Sequence, residues 1–366
     1  MTEHPPSLSV PYHRLGHADP NHRWWKPLVE LVIALGIFLI LQVLIGLLWL
    51  VGMMFFDPES LTALTRIGPT GAPEGTMTSP WLFSLLCVSV IAMLPAVILA
   101  RLSMGPRPLG LLSSVIGRLR WGWMMTCLGI GLGIYILGEG VFTLLSLGVG
   151  DPLPGEPATG GTLVIMLLLT LLLVPVQCAA EEYAFRAYPM QTIGRWLRHP
   201  LWAVLLPVPL FILGHGYDFW GQASVGTMAV VAGWLCVRTG GVEAAIGLHT
   251  VNNLTVMTLG VFGLADPFAE GGSTALSFII AAAFELVYAF LVIRLFDRRG
   301  HQRFWTPPPA ALPAAPPAAS PAPGPPVPPC PPGPAGDTPT PADLSRNDAP
   351  RSDTPRSDTP KGPAHS

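Results

Sequence analysis

The chain has 366 residues, of which 50% are hydrophobic and only 11% charged, far below the roughly 25% charged residues of a soluble domain. That composition excludes a water-soluble globular surface. A net charge of −2 supplies no basic field, which argues against nucleic acid and points to the lipid bilayer as the partner.

Residues 1–26 are polar and rich in His and Pro. The apolar run that follows, 27–56, exceeds the ~20 residues that cross a hydrocarbon core. No small-residue cleavage site follows it, so it is expected to remain as a first span and not to leave as a signal peptide. With its external loop this span occupies 27–79. Further apolar runs over 81–100, 121–149, 162–189, 201–220, 222–239, 241–263 and 274–296 bring the expectation to about eight spans. Thr239-Gly240-Gly241 suits a tight hairpin between the sixth and seventh. The fold class is all-α, a polytopic transmembrane helical bundle.

Loop charge gives an orientation. Arg14, Arg23 and Lys26, then Arg101, Arg107, Arg118 and Arg120, then Arg186, Arg195 and Arg198, then Arg238, and finally Arg294, Arg298, Arg299 and Arg303 fall in alternate loops. The acids Asp57, Glu59, Glu74, Asp151, Glu156, Asp266 and Glu270 fall in the others. Cytoplasmic loops collect Lys and Arg, so a multi-pass cell-membrane protein with both termini cytoplasmic is expected.

The segment 297–366 turns from Thr306 onward to Pro, Ala and Gly and ends in a repeat seen at Arg346–Pro350, Arg351–Pro355 and Arg356–Pro360. Without apolar side chains it cannot form a core, so a disordered cytoplasmic tail is expected. Such a tail offers a ligand to a proline-recognition partner, although a plain solvated tail is favoured. Cys87, Cys127, Cys178, Cys236 and Cys330 have no CxxC spacing and read as small core residues.

Ionisable groups in spans are costly, and each is a functional candidate. Glu30, Glu139, Glu243, Glu285 and Arg294 occur singly, and a snorkelling or interhelical role is favoured for them. A second class clusters: Glu181-Glu182-Tyr183-Ala184-Phe185-Arg186, Phe211-Ile212-Leu213-Gly214-His215 and His249-Thr250-Val251-Asn252-Asn253. Glu182 and Arg186 stand at i,i+4, a favourable ion-pair spacing. Glu181 is rotated by about 100° from Glu182 and faces elsewhere. His249 and Asn253 share a face. A carboxylate and a His can take a proton from water, while a His and an Asn can donate to an oxyanion. The bland reading is an interhelical hydrogen-bond network. By helical rise, His249 lies roughly 12 Å in from Gly241 and Glu181 roughly 13 Å in from Met190, but His215 lies roughly 20 Å from Leu201. The mismatch requires irregular backbone in the fifth span, and Pro207 and Pro209 would supply it.

These motifs resemble those of the CPBP family of intramembrane proteases, also called the CAAX prenyl protease or Abi family. Its pattern is E-E-x-x-x-R, F-x-x-x-H, then H-x-x-x-N or H-x-x-x-D, here Glu181, Glu182 and Arg186, Phe211 and His215, and His249 and Asn253. The resemblance covers about residues 80–296. It implies peptide-bond hydrolysis in a membrane cavity, with Glu181 and His215 polarising water, His249 and Asn253 as the oxyanion site, and Glu182, Arg186 and Phe211 as supports. No cofactor is favoured; zinc held by Glu181, His215 and His249 stays open. The composition looks like that of a GC-rich bacterium, so the implied substrate is a membrane-associated protein or peptide other than a prenylated one. The rival reading is a non-catalytic membrane protein, a bacteriocin self-immunity scaffold or a transporter, using the same residues for packing or binding.

Overall fold

A computed structural model describes residues 9–18, 23–68, 71–104, 108–148, 155–269 and 271–306. The chain divides into a unit over Met1–Leu312 and another over Pro313–Ser366. The described residues all belong to the first, and the expected tail from 307 onward, with Cys330, lies outside them.

The architecture is helical. Helix α1 (Lys26–Phe56) opens with Pro27 in its first turn, where the missing N–H costs nothing. It is apolar on all sides, with most of its side chains exposed and one side packed against the neighbouring helices. Short α2 (Pro58–Ala63) follows, then α3 (Pro80–Ile91) and α4 (Met93–Ser103), which together make one span. After α5 (Gly110–Ser113) come α6 (Trp121–Gly148), α7 (Gly160–Glu182), a π-helical turn (Tyr183–Ala187) and α8 (Tyr188–Trp196). Then follow α9 (Pro200–Leu205), α10 (Val208–Leu213), α11 (Phe219–Thr239), α12 (Glu243–Val261) and α13 (Ala275–Arg298).

Among the described residues six helices are long and apolar enough to cross a membrane: Lys26–Phe56, Pro80–Ser103, Trp121–Val141, Gly160–Trp196, Phe219–Thr239 and Ala275–Arg298. The expectation of eight is therefore not reached, for two physical reasons. The fifth run is broken into α9 and α10, because Pro207 has no N–H for the Ala203 carbonyl. The seventh, α12, carries Glu243, His249, Asn252 and Asn253, which lower its hydropathy, and is fully buried over residues 243–251.

The α11–α12 hairpin forms as expected at Gly240, whose φ of 70° is left-handed and open to glycine at little cost. With no hydrophobic drive between helices in lipid, close packing falls to small residues. A Cβ at Gly247 would come within 2.7 Å of the Tyr288 hydroxyl and 2.9 Å of the Cys127 Cβ, so this glycine sets the approach of α12 to α6 and α13. The lone carboxylates tie helices together: Glu30 pairs with Arg101 at 3.3 Å, and Glu243 with Arg120 at 2.7 Å. Cys87, Cys127, Cys178 and Cys236 are free and buried.

The tail's first residues, 297–306, are part of this fold. α13 runs to Arg298, and strand β2 (Phe304–Trp305) pairs antiparallel with strand β1 (Val10–Pro11). Behind β1 a 3-10 helix (Tyr12–Ala18) buries Tyr12 completely. The expected disorder from 297 therefore does not hold for these residues, because main-chain pairing and Tyr12 give the segment something to order against.

Candidate active site

The first motif sits where the helix Gly160–Trp196 changes winding. Residues 183–187 are π-helical, a form that appears mostly as single turns within α-helices and frequently at functional sites. Glu182 and Arg186 still reach each other, with Nη1 to Oε1 at 3.1 Å, in ion-pair contact but without an aligned hydrogen bond from either terminal guanidinium nitrogen. The guanidinium carbon lies 3.9 Å from the centre of the Phe211 ring, a cation–π distance.

Phe211 is the hub. It is buried on α10, its ring centre 5.4 Å from that of Phe185, 4.8 Å from His215 and 5.8 Å from His249. Both imidazoles thus flank the ring that Arg186 covers. His215 follows α10 on non-helical chain, half-buried. Its Nδ1 lies 2.9 Å from the Phe211 carbonyl. A carbonyl only accepts, so Nδ1 carries the proton and Nε2 keeps a lone pair. His215 also lies in electrostatic range of Glu181, His249 and Arg186.

His249, on α12, joins the two glutamates. Its Nδ1 donates to Glu182 Oε1 at 2.8 Å, while Nε2 lies 3.3 Å from Glu181 Oε2 and 3.4 Å from Asn253 Nδ2. Glu181 Oε1 accepts from Gln177 Nε2 at 3.0 Å, leaving buried Oε2 with no hydrogen bond. Asn252 donates to Asn253 Oδ1 at 3.1 Å. The expected site residues Glu181, Glu182, Arg186, Phe211, His215, His249 and Asn253 are therefore brought together from three chain segments. The 100° rotation between Glu181 and Glu182 puts one carboxylate at each nitrogen of His249.

Several features escaped the sequence. Glu182 touches His249 as well as Arg186, and Gln177, one turn before Glu181, holds the outer carboxylate oxygen. An i,i+4 polar residue preceding Glu181 was the available signal for Gln177. A cavity of about 10 Å³ lies between Arg186, Pro207, Phe211 and Gly233, about one water in size. A larger one of about 390 Å³ among Glu74, Met77, Gly260 and Phe268 contains none of these residues.

Zinc does not fit this donor set as it stands. Each imidazole has its Nδ1 on a protein oxygen, so Nε2 of His215, Nε2 of His249 and Glu181 Oε2 are the atoms that would hold zinc, but among the described residues no three His, Cys, Asp or Glu are grouped closely enough to hold a metal.

Six apolar helices long enough to cross a membrane, with a buried cluster of carboxylates, imidazoles and amide among the helices, mark a multi-pass helical membrane protein. Residues 160–255 match the family model described as type II CAAX prenyl endopeptidase Rce1-like, and every motif residue above falls within that stretch. Over this stretch the chain is similar to that family, one of CAAX-type endopeptidases. A curated relative, the uncharacterized protein YyaK of Bacillus subtilis (strain 168), is 31% identical over 96 residues, 24% of this chain and 32% of its own length. The chain thus spans about a third of the relative it matches. No solved structure matches.

Proposed function

We propose that the chain is an intramembrane endopeptidase that hydrolyses a peptide bond of a membrane-associated protein or peptide. Glu181 Oε2 and His215 Nε2 draw a proton from the water whose oxygen bonds to the carbonyl carbon, and that proton passes on to the amine nitrogen as the C–N bond breaks. In between, the carbonyl oxygen gains negative charge, and Asn253 Nδ2, with His249 once a proton rests on Nε2, donates to it. Glu182 holds His249 through Nδ1 and is itself held by Arg186, which Phe211 supports. The observation that carries this reading is the Glu181 oxygen, buried and without a hydrogen bond, facing the imidazole of His249.

We read the water as metal-free, because Asn253 is a poor zinc ligand and a good oxyanion donor, and no step is routed through zinc. Chelator treatment should leave turnover unchanged, and recovery of lost activity on zinc addition would refute that part. We place the protein in the cell membrane with both termini cytoplasmic, on the Arg and Lys bias of alternate loops. A reporter fused after Arg303 that reads as external would reverse this orientation. The direct test of function is to reconstitute the protein in lipid vesicles with membrane-anchored peptides and identify products by mass. Intact peptides throughout a broad panel would count against a peptidase.

A further inference from the structure

Between α10 and α11 the chain runs without helix. Gly214 is a turn, and His215, Gly216, Tyr217 and Asp218 are coil. A Cβ on Gly226 would meet Ile212 at 3.0 Å, and one on Gly233 would meet Val204 at 3.1 Å, so the broken α9–α10 segment lies antiparallel beside α11. That register sets His215 level with the first turns of α11, within the span and not beyond it.

A coil at this depth has backbone groups to satisfy. Phe211 and Ile212 carbonyls take the Gly214 and His215 N–H groups, the His215 carbonyl takes the Gln222 side-chain amide, and the Asp218 carbonyl takes the Gln222 N–H. Among the described residues no hydrogen bond engages the N–H groups of Gly216, Tyr217 or Asp218, or the carbonyls of Gly214, Gly216 or Tyr217. Non-helical backbone at membrane depth persists only where it is buried in protein or lines a wet cavity. Here Gly214 and Gly216 are exposed, with His215 and Tyr217 half-buried between them. The two glycines present no side chain to anything approaching from that side.

Resting on the peptidase reading above, we propose that residues 216–218 are the segment on which the substrate docks. An extended peptide would pair its main chain with the N–H and C=O of Gly216 and the N–H of Asp218, which leave one edge of the segment, bringing an adjacent peptide bond to His215 and Glu181. Main-chain pairing supplies affinity with little dependence on sequence. The substrate class this selects is an unwound segment, since a helix has no free backbone groups to offer. A membrane-embedded helical substrate must therefore unwind before it is cut.

The test is a backbone scan of a cleaved peptide, with single N-methyl or ester replacements at each position. Along one edge of a strand, pairing groups recur every second residue. Alternate replacements should lower kcat/KM by about tenfold each, with little effect in between. Gly216→Pro removes one enzyme N–H, so it should lower cleavage of the parent peptide and abolish one of those penalties. Penalties without alternation, or a full set retained by folded Gly216→Pro, overturn the proposal. Binding of the same peptides to the Glu181→Ala protein separates it from the peptidase reading. Alternating affinities with no cleavage by wild type keep the docking segment and remove the enzyme, whereas cleavage without alternation does the reverse.

Discussion

Removing the Arg186 side chain is the sharpest test of how the site is held. The guanidinium and the Glu182 carboxylate are 3.1 Å apart with side chains 4% and 0% exposed. In Arg186→Ala, Glu182 keeps only His249 Nδ1 as a partner, and a fully buried carboxylate loses its permanent cation. Deleting one member of a buried pair costs about 3–5 kcal/mol, and the lost contact with the Phe211 ring adds about 1 kcal/mol. That is a large part of the roughly 5–15 kcal/mol that holds an ordinary domain together. Heating in detergent followed by size-exclusion chromatography should show a much smaller folded fraction than wild type. The double variant Glu182→Gln/Arg186→Met removes both charges while leaving an acceptor for His249, and should recover much of the loss. Wild-type stability of Arg186→Ala, or a double variant weaker than the single, would refute the buried-pair argument.

Other outcomes follow from the same geometry. His249→Ala and Asn253→Ala should remain folded yet lose about 10²–10³ in turnover each, and the double variant should lose far less than the product, because the two act on one oxyanion. A stability loss that tracks the activity loss would mark them as packing residues instead. His13 lies outside the spans with Nε2 donating to the Arg198 carbonyl; burial holds its imidazole below the usual histidine value, assisted by Arg14 and His199 and opposed by that carbonyl. The unfolded chain therefore binds the proton more readily, so stability should fall as pH drops below about 6.5. Melting curves between pH 7.5 and 5 should show this, and His13→Gln should flatten part of the slope; an identical slope in the variant would rule His13 out as a source.

The membrane architecture was legible because lipid imposes one rule on every span: long apolar runs and few charges. That rule found α1, α3–α4, α6, α7–α8, α11 and α13 within a few residues. It failed where enclosure by protein replaces lipid. α12 carries Glu243, His249 and two asparagines because its neighbours satisfy them, and α9–α10 breaks at Pro207, which has no N–H to continue the helix. The site's composition was legible too, since Glu, Arg, His and Asn at helical spacing are conspicuous in apolar sequence. Its connections were not, because they are tertiary. Helical spacing pairs Glu182 with Arg186, but only the packing of α12 on α7 brings Glu182 to His249 Nδ1 and Glu181 to Nε2. Nothing in the one-dimensional pattern of Tyr183–Ala187 announces a π turn. The pairing of Val10–Pro11 with Phe304–Trp305 joins residues nearly three hundred positions apart, with no periodicity to reveal it.

The central claim, that Glu181 is a reacting group and not a packing residue, reduces to one comparison. Purified wild-type and Glu181→Ala proteins, matched for folded yield, are placed in the same vesicles with one membrane-anchored peptide that the wild type cleaves. General acid–base groups contribute about 10²–10⁴ in rate, so the variant should be folded and its cleavage at least about a hundredfold slower. Cleavage by Glu181→Ala at the wild-type rate would contradict the assignment.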